Sequence, residues 1–108
     1  MNEIPDKPTL TDLQKYIKIF CEERGWVNNT YSELYLLFME EVGELAKAMR
    51  NHAGLFSEEA KKNKKFDLEE EFADVLSYLM DLANLFNIDL EAAFRKKDAL
   101  NRTRNWNN

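Results

Sequence analysis

The chain has 108 residues, 44% of them hydrophobic and 32% charged, with a formal net charge of −5. These proportions describe one globular domain with a modest core and exclude an intrinsically disordered chain. The acidic balance argues against a nucleic-acid-binding surface, whose affinity rests on Lys and Arg meeting phosphates.

Residues Met1 to Leu10, with Pro5 and Pro8, read as an extended arm ahead of a domain over 11–104, and 105–108 as a polar tail. Thr11 followed by Gln14 forms a capping-box pattern that opens a first helix, with Leu13, Ile17 and Phe20 on one face and a stop near Arg24-Gly25. Thr30 with Glu33 repeats the pattern and opens a second helix to about His52, with Gly54 as terminator. Ala53 to Lys65, with four lysines, reads as a solvated connector or as a basic lid over an anionic substrate. Asp67 with Glu70 resembles the cap of a third helix running to about Phe86, and Asn87-Ile88-Asp89 breaks it and caps a fourth ending near Arg104. No strand-period alternation competes, so the expected fold is all-α, a four-helix antiparallel bundle-like domain. Its apolar arcs are wide for so short a chain, and oligomerisation is expected to complete it.

The single cysteine, Cys21, excludes an intrachain disulfide and suits a reducing cytoplasm. No apolar run approaches the ~18 residues of a membrane span and no charged-then-apolar leader opens the chain, so a cytoplasmic location away from membranes is expected.

Two acidic clusters stand out, Glu40-Glu41-Val42-Gly43-Glu44 and Glu71-Phe72-Ala73-Asp74. At about 100° per residue, Leu34, Leu37, Phe38, Val42, Leu45, Ala48 and Met49 fill one continuous arc of the second helix, and Glu41 falls inside it. Glu44 lies at the edge, whereas Glu40 sits on the polar side. On the third helix Glu71 likewise lies among Phe72, Val75, Leu76, Tyr78, Leu79, Leu82, Ala83, Leu85 and Phe86, with Asp74 just outside. An unpaired buried carboxylate is strongly unfavourable, so these groups need a proton, a basic partner or a cation. Oxygen ligands converging from two helices suit Mg²⁺, with Mn²⁺ as a substitute, rather than zinc or copper.

Mg²⁺ keeps open positions for phosphate oxygens, which makes a polyphosphate the natural substrate. Glu40, on the polar side of its cluster, is placed to act as general base towards water. Lys97 and Asn101 share a face of the fourth helix with Arg104 close behind, a set that fits phosphate or base and equally a helix C-terminus complementing its dipole. Trp26, Tyr31, Tyr35 and Trp106 are candidates for stacking on a base, or core and tail anchors. His52 is the only histidine, which counts against zinc sites, histidine triads and ferritin-like di-iron centres.

Glu-Glu-x-x-Glu at 40–44 followed by Glu-x-x-Asp at 71–74 resembles the MazG-type all-α nucleoside triphosphate pyrophosphohydrolases, over roughly residues 10 to 104. The resemblance implies Mg²⁺-dependent hydrolysis between the α and β phosphates to a monophosphate and pyrophosphate, with a house-cleaning role against aberrant nucleotides. By the same resemblance Glu41, Glu44, Glu71 and Asp74 would hold the metal, Lys97 and Asn101 would handle the nucleotide, and the protein would be a homodimer or a dimer of dimers. The alternatives are a non-catalytic metal- and nucleotide-binding helical dimer, or a phosphoribosyl-ATP pyrophosphohydrolase.

Overall fold

The structure, a computed structural model, describes residues 2–54 and 64–104, with side chains in the second segment from Asp67 onward. The expected connector or lid at 53–65 therefore falls almost wholly outside the described residues, as does the tail with Trp106. The described residues form four helices and no strand: α1 (Leu10–Glu23), α2 (Tyr31–His52), α3 (Lys64–Leu85) and α4 (Leu90–Arg102). No helix among them is long and apolar enough to cross a membrane.

α1 starts earlier than its sequence pattern suggests. Thr9, not Thr11, is the N-cap: its hydroxyl accepts from the Asp12 amide at 3.0 Å, and the Asp12 carboxylate accepts from the Thr9 amide. Gln14, the expected partner of Thr11, is instead buried and holds three elements together. Its Nε2 donates to Asn84 Oδ1 at 2.9 Å and to the Ile88 carbonyl, while its Oε1 accepts from the Leu90 amide at 2.9 Å. Asn84 returns a bond from Nδ2 to the Gln14 carbonyl at 3.1 Å. A buried amide must satisfy both ends, and this one does so by tying α1 to the end of α3 and the start of α4. Thr11, freed from capping, donates to Asp89 at 3.3 Å.

The junctions at both ends of α2 and between α3 and α4 follow the sequence closely, whereas the start of α3 does not. Thr30 and Glu33 make the reciprocal capping box of α2, and Gly54 follows the helix at φ +76°. α3 begins three residues before Asp67, which therefore sits in the first turn, where a negative charge favours the helix dipole, and is not the cap. It ends in a Schellman motif with Asn87 at φ +58°, Ile88 N–H bonding Ala83 O at 2.9 Å and Asn87 N–H bonding Asn84 O at 3.0 Å. Asp89 caps α4 through the Ala92 amide.

α2 and α3 pack along their length as the central pair, α1 lies against α3, and α4 packs on α1. The core is thin. Leu34, Met80, Ala83 and Cys21 are the buried apolar residues among those described, and no side chain is fully enclosed. Much of each apolar arc thus stays open. On α3, Phe72, Leu76, Leu79 and Phe86 are all exposed and lie within roughly 80° of one another on the helix.

Candidate active site

The central pair brings the two acidic clusters together. One carboxylate oxygen from each of Glu41, Glu71 and Asp74 lies within 4.8 Å of the others, with Glu41 and Glu71 half-buried and Asp74 exposed. Glu71 Oε2 is shielded from solvent and has no hydrogen-bond partner. Burial pushes the Glu41 carboxyl above its ordinary range, and the negative charges of Asp74, Glu71, Glu44 and Glu40 push it further. Glu71 is raised by the same means, first by burial and then by Asp74, Glu44, Glu70 and Asp67. The charges that raise these two groups are all neighbouring carboxylates. An orphaned acceptor in such a field is what a divalent cation would satisfy, and hard oxygen donors fit Mg²⁺ or Mn²⁺.

Glu44 is exposed and stands outside the group of three, lining an adjoining cleft of about 160 Å³ with Lys47, Ala48, Asn51, Asp67, Glu70 and Glu71. Glu40 is exposed, on the outer side of the cluster.

A larger cavity, about 720 Å³, opens beside the cluster between α1, α2 and α3. Glu41 and Asp74 line it at one end. Because α2 and α3 run antiparallel, Leu34 and Asp81 line the other end, and α1 adds Tyr16, Ile17, Phe20 and Cys21. The turn after α1 supplies Gly25, Trp26, Asn28 and Asn29. That turn is another Schellman motif: Gly25 takes φ +74°, its amide bonds Glu22 O at 3.1 Å, and Trp26 N–H bonds Cys21 O at 2.8 Å. Trp26 is thereby set edge-on to Phe20, ring centroids 5.9 Å apart, with the Arg24 guanidinium over both rings.

Of the aromatic candidates, Trp26 lines this cavity. Tyr31 is instead stacked on Phe86 at 4.4 Å and Tyr35 lies against Phe38. Lys97, Asn101 and Arg104 belong to α4 and its end, which contribute nothing to the lining. Lys97 is exposed and Asn101 half-buried. Sequence reasoning passed over Ser77 and Asp81, Asn28 and Asn29, and treated Tyr78 only as core. The phenol of Tyr78 is pushed up by burial and by the nearby Glu41 and Asp74 carboxylates. A signal was present for Asp81, one heptad after Asp74 and so on the same edge of α3.

The model of the MazG nucleotide pyrophosphohydrolase domain matches residues 29–104, which carry both acidic clusters. The chain belongs to this family. MazG membership places the domain among nucleotide pyrophosphohydrolases, which are enzymes. The chain is also 33% identical over 87 residues to the uncharacterized protein YvdC of Bacillus subtilis (strain 168), covering 76% of this chain and 82% of that one. It is 34% identical over 101 residues to dCTP pyrophosphatase 1 of Rattus norvegicus, covering 91% of this chain and 59% of the relative. With the dATP/dGTP diphosphohydrolase of Cyanophage S-2L it shares 38% identity over 68 residues, 63% of this chain and 50% of the phage protein. The chain thus spans about three fifths of the rat protein and half of the phage protein.

Proposed function

We propose that this MazG domain hydrolyses deoxynucleoside or nucleoside triphosphates between the α and β phosphates, with Mg²⁺ as its metal, giving a monophosphate and pyrophosphate. The observation that carries this reading is the partnerless Glu71 Oε2 inside a triad of carboxylates at one end of a cavity large enough for a nucleoside. Relatives named for dCTP and for dATP/dGTP support a nucleotide substrate, and a house-cleaning role against unwanted nucleotides in the cytoplasm is consistent with them.

Glu41, Glu71 and Asp74 would hold the cation, with Glu44 joining from the cleft next to Glu71. When bound, Mg²⁺ shares its shell with phosphate oxygens and offsets the charge developing there. Glu40, facing solvent beside the cluster, takes the proton of the attacking water as the anhydride bond breaks. Trp26 and Phe20 offer their rings to the base, and the polyphosphate lies over the acidic end.

Lys97, Asn101 and Arg104 enter this scheme through a second copy of the chain. α4 stays clear of its own cavity, yet a polyphosphate needs cations that the described lining of the cavity lacks. The exposed stripe of Phe72, Leu76, Leu79 and Phe86 supplies an interface, and the Cα radius of gyration of 17.0 Å exceeds the about 13 Å of a compact domain this size. A homodimer, or a dimer of dimers, would cover the stripe and bring a neighbouring α4 within reach.

Separation of products after incubation with a triphosphate tests the reaction. Monophosphate and pyrophosphate in equal amounts are expected. Diphosphate with inorganic phosphate would overturn the assignment of the bond that breaks.

A further inference from the structure

The cavity contains a third carboxylate that the metal chemistry does not use. Asp81 follows Asp74 by seven residues on α3, so it stands about 10 Å further along the helix axis. That is the length of a nucleoside between its phosphate and the far edge of its base. Asp81 is half-buried, faces the same cavity as Trp26, Asn28 and Asn29, and accepts a hydrogen bond from the Cys21 thiol. The other groups lining that end are neutral: Tyr16, Phe20, Cys21, Asn28, Asn29 and Ser77. No cation lines this cavity among the described residues; Lys18 lines a smaller adjoining cleft that Asp81 also borders.

Resting on the function proposed above, the geometry points to Asp81 as the residue that selects the base, accepting hydrogen bonds from the exocyclic amine of a 4-aminopyrimidine or 6-aminopurine. An ionised carboxylate only accepts. It matches the N–H donors of cytosine N4 or adenine N6, and it opposes the carbonyl oxygen that uracil or hypoxanthine presents at the same position. Burial pushes the Asp81 carboxyl above its ordinary range, and the Cys21 S–H, which occupies one acceptor site from the protein side, offsets part of that rise. The direction of the remaining lone pairs then decides which edge is accepted. A site whose polar group is left facing an acceptor discriminates more strongly than an apolar pocket can.

The test compares bases that differ only at this edge. For the parent, kcat/KM is measured for dCTP against dUTP and for dATP against dITP, and calorimetry with dCMP and dUMP in chelator reads the same preference without turnover. Asp81→Asn keeps the shape but adds an N–H₂ donor, so the amino-over-oxo ratio should fall on the order of 10- to 100-fold. An unchanged ratio in Asp81→Asn, or equal binding of dCMP and dUMP by the parent, would overturn the inference. Asp81-dependent preference for dCMP over dUMP in a parent that releases no pyrophosphate would uphold it while the catalytic reading fails. If the variant does not fold, the monophosphate comparison on the parent decides.

Discussion

Glu71 holds a carboxylate oxygen away from water, without a hydrogen bond, among Asp74, Glu44, Glu70 and Asp67. In the metal-free protein this is a destabilising arrangement, which the proposed cation would offset. Replacing the charge should therefore stabilise the empty protein and disable the loaded one. Glu71→Gln is expected to raise Tm in chelator by a few degrees, to abolish the upward Tm shift given by Mn²⁺, and to eliminate pyrophosphate release; thermal scans with and without metal read all but the last. A parent-like Mn²⁺ shift in the variant would remove Glu71 from the ligand set.

The same carboxyls set the pH dependence. Glu41 and Glu71 have folded pKa values above the unfolded carboxyl value near 4.5, so around and above that value the folded state binds more protons than the unfolded one. The sign follows from linkage: stability falls as pH rises through the folded values, and the deficit is complete above them. In chelator Tm should decline from mildly acidic towards neutral pH, and Glu41→Gln should flatten that decline. A metal-free Tm that climbs across this window would contradict the electrostatic account. At the residue scale both Glu41 and Glu71 were legible in the sequence, because each interrupts an apolar helical arc. Asn28 and Asn29 were not, since their cavity is assembled from elements separated by some fifty residues of chain; Asp81 showed only its heptad spacing from Asp74, which does not reveal the cavity it faces.

At the scale of the element, caps and turns decide where functional side chains fall. Two threonines compete for the start of α1, each with an acceptor three residues on. Local pattern does not distinguish them. The choice goes to Thr9 because Gln14 is needed in the buried network with Asn84, Ile88 and Leu90, a long-range demand invisible in a window of four residues. The Gly25 turn shows the opposite case, where sequence and structure agree and the turn places Trp26. A Cβ at Gly25 meets no atom within 4 Å, so Gly25→Ala should act through its positive φ alone. The expected loss is about 1–2 kcal/mol of stability, seen as a lowered denaturant midpoint, together with a higher KM for nucleotide as Trp26 shifts. A variant of parental stability and KM would show that the turn does not hold the cavity wall.

For the whole molecule, the arcs predicted a bundle with more apolar surface than one chain can cover. The arrangement agrees for α2 and α3, whose facing clusters follow from their antiparallel packing. It places α4 on the outer side of α1, and the stripe left open along α3 agrees with the expected surplus of apolar surface. Sequence periodicity marks a residue as apolar-facing without saying whether the facing surface is its own chain or another's. Light scattering is expected to give a dimer or tetramer, and Leu79→Glu, at the middle of the stripe, should shift it towards monomer and lower Tm. A parent that is monomeric at micromolar concentration would remove the second copy from the site.

Paired acidic clusters on α2 and α3 are expected to make this domain a metal-dependent pyrophosphohydrolase. The most direct test is pyrophosphate release from a panel of ribo- and deoxyribonucleoside triphosphates in Mg²⁺, in Mn²⁺ and in chelator. We expect release with either metal and none in chelator. Release that persists undiminished in chelator, or no release from any triphosphate with metal bound, would show that the two clusters do not carry metal-dependent hydrolysis.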